Sequence, residues 1–165
     1  MKAHAGIWAD LPRSRLETSQ GELLQMRAGR AWLRYQRSTS LRLAHSGDRA
    51  MLAYVFHAPG DSGERESGRC GWFILLRCGD ALVVQHPRPV EVLSIAYDGE
   101  RDLDFQARVA GSPADPSIRR IAHEIRLGMC GDDQEPDAPY LEALAEALLL
   151  RAERVAGAAE HATVH

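Results

Sequence analysis

Lysine is nearly missing from this sequence: Lys2 stands alone, while arginine is abundant and spread evenly along the chain. That imbalance is a mark of a GC-rich bacterial coding sequence and says nothing of function. With a formal net charge of -3 and no basic stripe, the chain lacks the footprint by which proteins hold a phosphate backbone. No direct nucleic-acid contact is expected. Cysteine is scarce as well, and Cys70, Cys78 and Cys130 are odd in number and unrelated in spacing. This excludes a disulfide framework and a CxxC zinc pair and leaves reduced, buried thiols. No stretch approaches the roughly 18 apolar residues of a membrane span, and "MKAHAGIWADLPRSRLE" has neither an apolar signal core nor a small-residue cleavage site. The expectation is a cytoplasmic protein away from the membrane.

Catalytic signatures are missing too. His123-Glu124 opens like an H-E-x-x-H zinc helix, but the second ligand position is Leu127, so the pair of ligands one turn apart is not formed. There is no G-x-S-x-G elbow and no glycine-rich loop that opens a helix after a strand. His45, His57 and His86 stand singly, without the H-x-H spacing that brings ligands together from neighbouring strands. The sequence therefore reads as a non-enzyme that needs no cofactor and no metal.

What is present is the composition of a globular protein in 165 residues, enough for one domain that buries roughly two thirds of its unfolded surface. "GRAWLRYQRST" (Gly29 to Thr39) sets Ala31, Leu33 and Tyr35 on one face and Trp32, Arg34 and Gln36 on the other, which is strand period. "AMLAYVFHA" (Ala50 to Ala58) is a second strand, with Leu52, Tyr54 and Phe56 sharing a face. Between Gly71 and Glu100, Cys78-Gly79-Asp80 separates two apolar runs as a tight hairpin turn does. Pro87 and Pro89 then block ladder pairing ahead of a strand from Val90 to Tyr97.

After Asp104 the period changes to helical. Asp115 as N-cap and Pro116 at the first position start a helix to about Met129, with Ile118, Ile121 and Ile125 on one stripe. "GDDQEPDAP" breaks it, and Asp137 with Pro139 starts a second helix, Ala138 to Val155. The expectation is an α+β chain: a β-barrel or sandwich over about 20–110, then a two-helix hairpin over 115–156, in one domain spanning 1–165.

"LLRCGDALVVQHPRPVEVLSIAY" (Leu75 to Tyr97) resembles the hairpin in the cupin-like sensor domains of AraC/XylS-type bacterial transcription regulators. "DPSIRRIAHEIRLGMCGDDQEPDAPYLEALAEALLLRAERVAG" (Asp115 to Gly157) is similar to the two helices that close those domains. The resemblance implies a barrel that binds a small-molecule effector and a helical hairpin that dimerises. It also implies a following domain with two helix-turn-helix units, for which "AGAAEHATVH" leaves no room. The expected function is thus a stand-alone sensor and dimerisation domain that regulates transcription without DNA contact of its own, as a homodimer or paired with a full-length paralogous regulator. The alternative is a small cupin-like metal-dependent enzyme, which stoichiometric bound metal would reveal.

Trp32, Tyr54, Phe56 and Trp72 are the rings that would line an effector pocket, with Arg34 and His57 as its polar groups; core packing explains the same rings. On the second helix Leu141, Leu144, Leu148 and Val155 form a core stripe. Ala143, Ala147 and Leu150 lie beside it as an expected dimer interface. Glu142 near the helix start and Arg151 and Arg154 near its end suit the helix dipole. Ile7, Trp8 and Leu11 mark the N-terminal segment as a candidate mobile arm.

Overall fold

The computed structural model describes residues 13–18, 21–44, 51–56, 71–76, 81–97, 112–113, 115–131 and 135–162. Among them, strands β1 (Arg13–Thr18), β2 (Gly21–Ala28), β3 (Ala31–Ala44), β4 (Met51–Val55), β5 (Trp72–Leu76), β6 (Ala81–Tyr97) and β7 (Ser112–Pro113) precede helices α1 (Pro116–Cys130) and α2 (Ala138–Ala162). The chain is α+β, a strand-rich part followed by C-terminal helices. The strands form one antiparallel sheet in the order β1-β2-β3-β6-β4-β5-β7.

Two expectations change here. β6 inserts between β3 and β4, so β5 and β6 do not pair with each other. The apolar runs on either side of Cys78-Gly79-Asp80 are therefore not the arms of one hairpin, because long-range pairing with β4 and β3 decides their neighbours; the turn residues themselves lie outside the described ones. Part of the expected N-terminal arm is strand, since Arg13–Thr18 pairs in register with Gly21–Met26. Ile7, Trp8 and Leu11 lie outside the described residues.

The two prolines act as expected on pairing but do not end the strand. β6 pairs with β3 up to Ser38↔Val90 and resumes at Ser40↔Gln85, so the stretch 86–89, with Pro87 and Pro89 lacking N–H donors, stands opposite Thr39. Ser38 Oγ donates to the Ser40 carbonyl at 2.9 Å and accepts from the Ser40 N–H at 3.2 Å, which holds the irregularity. Leu43, beyond it, packs with Met51, Ala53, Val55, Leu76, Val90 and Val92. The far half of β3 thus turns back over the sheet.

The opposite face meets the helices. Leu24, Tyr35, Leu93, Tyr54 and Phe73 form one cross-sheet row, and Met26, Leu33, Ile95, Leu52 and Leu75 the next. All ten are buried in one cluster with Ile118, Ala122, Ile125 and Met129 of α1 and Leu141, Ala145, Leu148, Leu149, Ala152 and Ala156 of α2. Each such Leu or Ile contributes about 1.5–3 kcal/mol of apolar burial.

α1 starts as its sequence dictates. Asp115 Oδ1 accepts from the Ile118 N–H at 2.8 Å, with Pro116 in the first turn. Asp137 Oδ1 accepts from the Tyr140 N–H at 3.1 Å and caps α2 in the same way. Asp115 also reaches across to α2, where Arg151 Nε donates to its Oδ2 at 2.8 Å. At the other end of the pair, a Cβ on Gly128 would come within 2.7 Å of Leu141 Cδ2. The start of α1 therefore lies by the later half of α2, and the two helices are antiparallel.

The second helix departs from expectation in extent and in the use of its charges. It continues to Ala162, so Arg151 and Arg154 are interior rather than terminal, and the alanines after Val155 carry the helix past Gly157. Glu142 serves a tertiary contact: its Oε1 accepts from the Arg30 backbone N–H at 3.0 Å. Its partner is the two-residue turn Gly29-Arg30 between β2 and β3, where Gly29 has φ +58°, the left-handed conformation that such hairpin turns require. A Cβ on Gly29 would strike the Glu142 carboxyl group. Gly29→Ala is expected to cost about 1–2 kcal/mol through the left-handed backbone alone, read as a lowered urea midpoint; an unchanged midpoint would remove this turn from the elements that hold α2.

Candidate functional site

Alternation along β3 separates two kinds of polar group. On the helix side, Tyr35 Oη donates to Glu91 Oε1 at 3.0 Å and Arg126 Nη1 donates to Glu91 Oε2 at 3.1 Å. The Arg126 guanidinium lies 5.2 Å from the centre of the Phe56 ring, and His123 meets the same ring edge-on at 5.1 Å. Burial, the Glu91 charge and the hydrogen bond to Glu91 raise the Tyr35 hydroxyl well above its ordinary pKa, so it stays a donor. Every polar group in this cluster has a job in packing α1 onto the sheet.

The other face is different. Register sets three rows across it: Leu23, Gln36, Val92, Val55 and Trp72; Gln25, Arg34, Ser94, Ala53 and Ile74; Arg27, Trp32, Ala96, Met51 and Leu76. Arg34 Nε, Gln36 Oε1 and Ser94 Oγ are each buried without a hydrogen-bond partner. They are neighbours, Arg34 being directly opposite Ser94 and two residues from Gln36 on the same side of β3. An orphaned buried donor or acceptor costs about 1–3 kcal/mol, and native proteins keep few of them. Burial also lowers the Arg34 pKa, as expected of a cation taken from water.

The surroundings fit a binding face. Among the described strands no acidic residue occupies a register position on this side. Ala53, Ser94 and Ala96 are small residues at the centre of the sheet, flanked by Val55, Val92 and Met51. At one end the Arg27 guanidinium stands 4.9 Å from the Trp32 ring centre, and Arg27 Nε donates to the Gly29 carbonyl at 3.0 Å. The arrangement can hold an anion and a hydrogen-bond donor together. Among the described residues Ser94 Oγ has no hydrogen-bond partner.

Of the residues singled out from sequence, Trp32, Arg34 and Trp72 share this face. Tyr54 and Phe56 do not join them: both are buried on the helix side, edge-on to each other at 4.8 Å, because alternation along the chain sends them opposite to Ala53 and Val55. His45 and His57 lie outside the described residues. Gln36 and Ser94 were missed as site residues. Gln36 was within reach, being two residues from Arg34 in strand period, whereas Ser94 joins only through the β3–β6 register. Ala143 and Ala147 are exposed and Leu150 is half-buried on the outward side of α2.

Compared with known proteins, the sequence matches no protein-family model, and no curated protein is detectably similar to it. No helix among the described residues is long and apolar enough to cross a membrane.

The helix-side cluster generates a pH prediction. Burial, then the Arg126 charge, lower the His123 pKa, opposed by Glu91. The unfolded chain therefore binds this proton more readily, so His123 favours folding above the ordinary histidine value of about 6.5, and that contribution is lost as pH falls through it towards the folded value. Urea midpoints should decline between about pH 7 and 5, and less steeply in His123→Gln. Parallel profiles for the two proteins would show that His123 does not carry the effect.

Proposed function

We propose that these residues form a sensor and dimerisation domain of the AraC/XylS type, with a cupin-like barrel that takes a small-molecule effector on the Arg34 face and regulates transcription through its helices. The observation that carries this reading is the row of buried, unpartnered polar atoms on Arg34, Gln36 and Ser94. A packed structural sheet has no use for three orphans side by side. A ligand that completes their hydrogen bonds turns an unfavourable apo state into binding energy.

The outward side of α2 supports the dimerisation half of the reading. Tyr140, Ala143, Ala147, Leu150, Arg154 and Gly157 recur at alternating spacings of three and four, the seam of a coiled coil. Tyr140 is 49% exposed, large for an aromatic side chain on a lone helix. The small residues at the centre of the seam permit a second helix to approach closely. In this reading the partner is a second copy or a full-length regulator that shares the same helices, and the protein acts in the cytoplasm.

At tens of micromolar the chain is expected to sediment as a dimer, and Leu150→Glu as a monomer with an unchanged far-UV spectrum. A dimer that survives the substitution removes Leu150 from the interface, and a monomeric wild type removes the homodimer. Co-purification with a full-length regulator would then identify the heteromeric form.

A further inference from the structure

We draw no further inference here: the strongest candidate, the exposed pair of Leu127 on α1 and Tyr140 on α2 at the end of the helix pair where Gly128 meets Leu141, carries nothing, because Tyr140 belongs to the dimerisation surface already described and nothing in the structure shows what covers Leu127.

Discussion

The sheet has to be covered on both sides, and the remainder of the molecule follows from that. All five residues of β4 are buried, and in β6 Val92, Leu93, Ser94 and Ile95 are buried in succession, so neither face of the central strands meets water. One face is covered by an antiparallel helix pair whose relative position is fixed at several points. Asp115 serves twice, as N-cap of α1 and as acceptor for Arg151 of α2, with Arg151 Nη2 2.6 Å from Oδ2. Burial alone would raise the Asp115 pKa, but the Ile118 N–H, the Arg151 contacts and the Ser117 N–H outweigh it and hold the carboxyl below its ordinary value. Such a partly exposed pair adds little by Coulomb attraction. Its effect is geometric, since one carboxylate sets both where α1 begins and how α2 lies against it.

The second face is covered by the sheet's own far half, where the interrupted β3–β6 ladder brings Leu43 back over Val90 and Val92. Self-coverage of this kind suits apolar side chains and serves polar ones poorly. The contrast between Glu91 and Ser94, three residues apart on β6, shows the difference. Glu91 faces α1, which brings Arg126 to it, and Tyr35 completes its bonds. Ser94 faces a surface on which its register neighbours are Arg34 and Ala53, and no partner arrives. Unmet polarity on this face is a consequence of what covers it, and the alanines beside Ser94 keep its surroundings shallow.

Local chemistry was readable where it was local. The caps Asp115 and Asp137, the prolines after them, and the stripe of Ile118 and Ile125 define both helices because capping and 3.6-residue periodicity act within a few positions. The two faces of β3 followed from alternation alone, which placed Trp32, Arg34 and Gln36 together. Pairing was not readable: that β6 lies between β3 and β4, and that Ser94 stands opposite Arg34, depends on contacts across some sixty residues of chain, which turn signals do not encode. Tyr54 was assigned with Trp32 and Trp72 because ring size says nothing about parity between separate strands. In α2 the core belongs to Ala145, Leu149, Ala152 and Ala156 as well as to Leu141 and Leu148. Alanine contributes little to a hydrophobic pattern read from sequence and much to a close helix–sheet contact.

One connection between the two proposed surfaces is short. Trp32 and Arg34 lie on β3 two and four positions from Arg30, the residue whose backbone N–H binds Glu142. Arg27, stacked on Trp32, donates to the carbonyl of Gly29 in the same turn. At most four residues of paired strand therefore separate Arg34 and Trp32 from the turn that contacts the start of α2. Glu142 in turn precedes Ala143, the first small residue of the outward seam. A ligand can move this chain of contacts only by as much as it prefers one arrangement over another. In the proposed reading such a preference would come from the unpartnered atoms on Arg34, Gln36 and Ser94, while the turn at Gly29 and Arg30 ties the same strand to α2.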